Sequence, residues 1–300
     1  MNPNPGVNLW RHGKSRKSGG YAMKVKATVL VDNYAFGING VLAQHGWSVF
    51  LETDQGNYLL DTGAGKIIIP NAQVLGVDLA SIQGIILSHH HHDHTGGILE
   101  VLEYLKRPVA VYGHTDLFKD SYSTRTDRLS HSGVPFKREV LESKGARFDL
   151  STEFRSIAPN LFITGQVPRL TSFEKGDSHQ VLKEAQGLVQ DPLLDDLSVI
   201  IPTEDGLFVI LGCAHAGIVN TLNFAMQRMN EERIHTVFGG THLGPVGEEQ
   251  REASLEALKT MKIAHLGVSH CTGMKAAVRL AREWGDRFVF CSVGTVFQGS

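Results

Sequence analysis

Apolar residues recur along this chain with two periods, and the switches between them predict its elements. Val25–Val31 alternates apolar and polar side chains, as a half-buried strand does. Residues 45–52 and 57–61 read as a hairpin across a turn containing Asp and Gly. Residues 71–79 read as a helix, and 82–87 form an apolar run expected to be a buried strand. A helix over Ile98–Leu105 and strands over 108–112 and 161–164 come next. A second hairpin joins 197–201 to Gly206–Leu211, and Ile218–Met229 has helical spacing. Strand 234–238, amphipathic helix 248–261, strand 263–268 and helix 274–284 lead to a closing strand pair over 288–297. This order predicts an α+β, αββα sandwich: two mixed sheets packed face to face, with helices on the outer faces.

Composition narrows the classes. Three hundred residues at 42% hydrophobic can bury a sizeable core. A net charge of −2 argues against a nucleic-acid partner, which calls for a basic face. No apolar run reaches the length of a membrane span, so no membrane role is expected. Three cysteines, Cys213, Cys271 and Cys291, do not make a disulfide scaffold. Residues 1–22 are rich in Gly, Ser and Asn, with basic residues and no apolar core; they read as a disordered extension and not a secretory signal. The expected organisation is one domain over 23–300, in the cytoplasm, with its oligomeric state open.

Histidine changes the picture. The chain has 15, and five follow the buried strand in Ser88-His89-His90-His91-His92-Asp93-His94-Thr95-Gly96-Gly97. On an extended backbone His89, His91 and Asp93 share one side while His90 and His92 face away. Three imidazoles and a carboxylate suit zinc, or iron or manganese, and a carboxylate beside imidazoles suits a second ion. A purification tag would sit at a terminus, not between a buried strand and a Gly-Gly turn. Other strand ends carry chemistry too. His242 follows strand 234–238 and reads as a substrate contact or a metal ligand. His114 reads as a pocket or structural residue. Thr272-Gly273 opens a helix whose free N–H groups make an anion seat. The polar, basic stretch 121–145 is either a cap over a site for an anionic substrate or a solvated insertion.

The His-x-His-x-Asp-His pattern resembles the metallo-β-lactamase superfamily of binuclear metal hydrolases. Leu59-Leu60-Asp61-Thr62-Gly63, Gly212-Cys213-Ala214-His215 and Ser269-His270-Cys271-Thr272-Gly273 agree, and the resemblance runs from about residue 24 to 297. With Phe238-Gly239-Gly240-Thr241-His242-Leu243, the last two motifs are similar to the branch of dihydropterin ribofuranosyl-aminobenzene phosphate synthases. The resemblance implies that Asp61 supports the metal loop and that His270 is the last ligand of the second ion. The histidine that relatives carry near Gly165 is absent, and Arg169 stands in that region as a candidate substrate contact. Where relatives place a bridging Asp, this chain has Cys213, a candidate thiolate ligand. His215 then reads as the ligand the first ion still needs.

The expected ligand sets are His89, His91 and His215 for one ion, and Asp93, His94 and His270 for the other. Two divalent ions, zinc first, would acidify a water that attacks a phosphoryl or carbonyl centre of a small anionic substrate. Asp93 would assist proton transfer, and His242 would steady the oxyanion. Three alternatives remain: the branch's condensation, iron redox chemistry, and a metal-loaded sensor. The iron relatives carry an acid where this chain has His91, and a flavin domain besides. The Asp61-Thr62-Gly63 tripeptide also occurs in aspartic proteases, but that reading leaves the histidines unexplained.

Overall fold

Val25, Ala27 and Val29 point into the molecule on one side of the first strand, and Leu30 points to the other. The computed structural model describes residues 23–300; segment 1–22, expected to be a disordered extension, lies outside the described residues. In chain order the elements are β1 (Val25–Val31), β2 (Ser48–Thr53), β3 (Gly56–Leu60), α1 (Ile68–Val74), β4 (Ile82–Ile86), α2 (His92–Thr95), α3 (Ile98–Leu105) and β5 (Val109–Gly113). Next come β6 (Ser121–Ser123), β7 (Ser130–His131), α4 (Arg138–Ser143), β8 (Ala146–Leu150), β9 (Arg155–Ala158), β10 (Leu161–Ile163), β11 (Gln180–Glu184) and β12 (Gly187–Gln190). The rest are β13 (Ser198–Thr203), β14 (Gly206–Leu211), α5 (Ile218–Met229), β15 (Arg233–Gly240), α6 (Glu248–Lys259), β16 (Lys262–Ser269), α7 (Gly273–Trp284), β17 (Phe288–Phe290) and β18 (Val296–Gly299).

One seven-stranded sheet runs β18-β1-β2-β3-β4-β5-β8, and another runs β17-β16-β15-β14-β13-β10-β9. Between them lies a core of Val49, Leu60 and Ile86 from one sheet against Val199, Ile210 and Phe238 from the other. A second core packs α1 and α3 on the outer face of the first sheet, and a third packs α5, α6 and α7 on the second. The αββα sandwich is therefore as expected. A smaller sheet, β12-β11-β6-β7, gathers part of the polar insertion. It reaches the histidine loop, where His92 N donates to Ser132 O at 2.9 Å.

Three expectations need correction. Phe288–Phe290 and Val296–Gly299 do not pair with each other: β17 adds to β16 and β18 adds to β1, so the chain end crosses from one sheet to the other. The helix expected over 71–79 starts and ends earlier, at Ile68–Val74. Gly76 takes a φ of 67°, which ends it. Buried Asn71 spends its side chain on Leu30 O and on Leu42 N and O, fixing the helix against β1 and the loop that follows. Finally, the histidine loop is extended only to His91. His92–Thr95 is a helical turn that swings Asp93 and His94 back toward the sandwich edge.

Strands β14, β15, β16 and β17 run parallel, as do β3, β4, β5 and β8. Parallel strands with helical crossovers gather their carboxyl ends along one edge, where such folds bind ligands. The histidine loop follows β4, Cys213 and His215 follow β14, His242 follows β15, and His270 and Cys271 follow β16.

Candidate metal centre

Two triangles of donor atoms form at that edge. In the first, His89 Nε2 lies 3.0 Å from His91 Nδ1 and 3.3 Å from His215 Nε2. In the second, His270 Nε2 lies 3.2 Å from His94 Nε2 and 3.2 Å from Asp93 Oδ2, and His94 Nε2 is 4.0 Å from Asp93 Oδ2. Cys213 Sγ, 3.2 Å from His94 Nε2, sits beside the second triangle, and His89, His94 and Cys213 form a ligand-competent group. All six imidazole and carboxylate residues expected as ligands are thus brought together and buried.

The hydrogen-bond network assigns the tautomers. His94 Nδ1 is 2.7 Å from Asp61 Oδ2, so it carries the proton, and Nε2 presents its lone pair. His270 Nδ1 is 3.0 Å from Asn33 Oδ1, with the same consequence. Ser88 donates its hydroxyl to Asp61 at 2.6 Å and is left to accept from His89 Nδ1 at 2.9 Å. In the second triangle the free nitrogens of His94 and His270 therefore face each other. Such an arrangement cannot hydrogen-bond to itself and fits a shared cation. Nitrogen and carboxylate donors with an adjacent sulfur suit zinc and other borderline ions.

Electrostatics agree at the first triangle. Burial holds the imidazoles of His89, His91 and His215 well below the usual histidine range, which keeps them neutral donors. Burial opposes the charge of Asp93, but the His270 and His45 imidazoles beside it outweigh that and hold the carboxyl well below its usual range.

A second layer of carboxylates fixes the loops. Asp195 takes both the backbone N–H and Nδ1 of His90, at 2.8 and 2.7 Å, so His90 is an anchor. Lys119 bridges Asp195 and Asp191, 2.8 Å from each. Asp196 accepts from the N–H groups of Cys213, His215 and Ala216; burial and the neighbouring Asp195 charge nonetheless raise its carboxyl to about 7. Asp61, Ala214, His242 and His270 are held at left-handed φ angles of 51–54°. Non-glycine residues rarely adopt that conformation, and it concentrates where geometry serves a site.

Several expected substrate contacts are placed differently. Arg169 does not face open space: its guanidinium donates to His215 O and Pro192 O, both at 2.7 Å, and so braces a ligand loop from behind. The Thr272 hydroxyl is buried, accepting from Thr241 N and Thr241 Oγ1 at 3.2 and 3.0 Å. The backbone of Gly244 lies against Gly273, while Met274 and Lys275 in the first turn of α7 are exposed. His242 is adjacent to the centre, its ring 4.1 Å from that of His215, but its Nε2 is held 3.0 Å from Asp177 Oδ2. His114 is a structural residue whose Nδ1 accepts from Asp116 N.

Four residues here escaped sequence reasoning. His45, exposed, lies 3.1 Å from Asp93 Oδ2 with its ring against His270. Cys271 is grouped with Cys213 and His242 as a further set of donors. Its position one residue after His270 was a signal. Asp196, adjacent to Asp195 at a strand start, was a weaker signal, and Asp177 gave none. Burial raises the Cys213 thiol well above its usual range. Desolvation also pushes the half-buried Cys271 up, but the neighbouring Cys213 thiol and the His242 and His270 rings bring it well below.

Comparison with known proteins agrees with this geometry. A family model described as the metallo-beta-lactamase superfamily matches residues 42–218. The chain is similar to the 7,8-dihydropterin-6-methyl-4-(beta-D-ribofuranosyl)-aminobenzene-5'-phosphate synthase of Methanocaldococcus jannaschii, at 28% identity over 91% of this chain and 96% of the relative. It is similar to the hydroxyacylglutathione hydrolase of Hahella chejuensis at 30% identity over 62% of this chain and 66% of the relative. Among solved structures, a metal-dependent hydrolase of the beta-lactamase superfamily superposes with a TM-score of 0.77 at 27% identity, covering 91% of this chain and 98% of that one. From matched sequence over more than half its length, and matched fold over nearly all of it, the chain belongs to the metallo-β-lactamase superfamily.

Proposed function

We propose that this protein is a metal-dependent hydrolase acting on a small anionic, phosphorylated substrate, with two divalent ions, zinc first among them. The observation that carries the reading is the pair of buried donor triangles, with the free nitrogens of His94 and His270 facing one another in the second. His89, His91 and His215 would hold one ion, and Asp93, His94 and His270 the other. When bound, the ions supply Lewis acidity, lowering the pKa of water and polarising the scissile group.

The chain's own residues supply the rest. Asp61, Asn33 and Ser88 fix which nitrogen of each ring is free. Asp196 and Arg169 hold the Cys213-to-His215 turn in place. His45 is the solvent-facing side chain beside Asp93, and it is placed to pass a proton between the Asp93 carboxylate and bulk water. No helix among the described residues is long and apolar enough to cross a membrane.

A second reading is the joining reaction named for the Methanocaldococcus relative, favoured by a similarity that spans 96% of that protein against 66% of the Hahella hydrolase. Metal-loaded protein should be assayed against a phosphodiester, a phosphomonoester and a thioester, with metal content measured in parallel. Two ions with turnover of a phosphate ester is the expected result. Two ions with no hydrolysis of any of the three, but condensation of a dihydropterin with a ribofuranosyl-aminobenzene phosphate, would replace hydrolysis by the second reading. At most one ion per chain under saturating metal would sink the binuclear reading.

A further inference from the structure

We propose that Cys213, Cys271 and His242 form a third cation subsite, taking a soft or borderline divalent ion such as zinc and sharing the Cys213 sulfur with the neighbouring centre. Their donor atoms all lie within 4.8 Å of one another. An ion with Zn–S bonds of about 2.3 Å in tetrahedral array sets sulfur atoms about 3.8 Å apart, so the observed spread needs only small adjustments.

His242 has the arrangement of a ligand. Asp177 holds its Nε2 at 3.0 Å, the carboxylate–histidine pairing that fixes a coordinating ring. Its other nitrogen, Nδ1, is buried and has no hydrogen-bond partner. The ring comes from a residue held at a φ of 51°, in a backbone conformation that something must stabilise. The sulfur of Cys271 already accepts the His242 backbone N–H at 3.3 Å, as a metal thiolate does.

The elements explain the meeting. Cys213, His242 and Cys271 stand just beyond β14, β15 and β16, three adjacent parallel strands. Two thiolates match the charge of one divalent ion, and sulfur donors select softer ions than the nitrogen and oxygen sites alongside. A cleft of about 80 Å³ lined by Asp177, Ser178, His242 and Gln250 borders the His242 side of the cluster. The third cysteine, Cys291, is packed in the core between the sheets and cannot contribute. This assignment removes His242 from the role of oxyanion donor. It rests on the binuclear reading only for the sharing of Cys213.

Metal-free full-length protein titrated with cobalt(II) tests it. The expected result is three ions per chain and a sulfur-to-cobalt charge-transfer absorption that falls by about two-thirds in Cys271→Ser as the third ion is lost. His242→Gln should lose the same ion and keep the other two. To separate loss of the ion from misfolding of a variant, the wild type supplies a second readout. Cys271 is the partly exposed cysteine and Cys213 and Cys291 are buried, so a maleimide should label Cys271 in the metal-free chain, and saturating zinc should block that labelling. Two ions per chain, with absorption unchanged in Cys271→Ser and labelling unaffected by zinc, would overturn the third site and leave the binuclear one standing. One ion, carrying a two-thiolate absorption that Cys271→Ser halves, would uphold this site and sink the binuclear one.

Discussion

Asp61 reaches the centre through its neighbours. Its Oδ2 takes the proton of His94 Nδ1 and the Ser88 hydroxyl, and its Oδ1 takes Ser88 N at 2.7 Å. Asp61→Asn replaces a charged acceptor with an amide that cannot serve all three. It should weaken the ion at Asp93, His94 and His270 about 10- to 100-fold, as loss of such a partner does elsewhere. Competition with a chelating dye would measure that, and unchanged affinity would show the carboxylate to be a packing residue. His215→Ala should remove the other ion and abolish turnover, since two histidines remain where three are needed. Elemental analysis finding both ions retained would move the ligand role elsewhere. His45→Ala should leave metal content intact and reduce kcat about 10²-fold, the scale of one proton-transfer group. An unchanged kcat would show that His45 only screens Asp93. The clustered ligands were legible because they stand in one short motif or at the ends of apolar runs. His45 was not, because its contact with Asp93 spans a loop that no periodicity fixes.

At the scale of elements, α5 shows how an end is satisfied from a distance. Its N-cap is Gly217, which has no side chain to offer. Glu174, from a loop more than forty residues earlier in the chain, accepts Val219 N and Asn220 N at 2.9 and 2.8 Å. Glu174→Ala would orphan two buried donors at about 1–3 kcal/mol each, so a loss of about 2–6 kcal/mol is expected in urea unfolding. A loss under about 1 kcal/mol would mean that water replaces the carboxylate. The pH dependence has a definite sign. Burial raises the Glu174 pKa above its ordinary 4.5, so ionising it costs the fold. Its contribution is fully present below 4.5 and shrinks as pH rises through the folded value, and the substitution should cost more at pH 4 than at pH 7. Local pattern was enough for Ile98–Leu105 and Ile218–Met229, where a turn of period marks both ends. It was not enough for β17 and β18. Two short strands close in sequence read as a pair, and only the edges left open by β16 and β1 separate them.

For the whole molecule, the decisive fact is that the ligands come from both halves of the sandwich. His89, His91, Asp93 and His94 follow β4 of the first sheet, while His215 and His270 follow β14 and β16 of the second. Each proposed ion therefore crosslinks the two sheets at one edge, while the apolar layer between them holds the remainder. Binding to the folded state alone adds about 2.7 kcal/mol per ion when free metal is a hundredfold above its dissociation constant. Chelation should accordingly lower the melting temperature without unfolding the protein at 25 °C, because the three apolar cores do not depend on metal. The loosening should also be local. Hydrogen exchange after chelation should accelerate at 89–96, 212–217 and 270–273 and remain slow in β2, β13 and β14, whose amides pair within the sheets. Uniform acceleration through both sheets would show that the metal organises the whole fold. No change at any loop would show that the carboxylates behind the ligands, Asp61, Asp195 and Asp196, hold the site ready before any ion arrives.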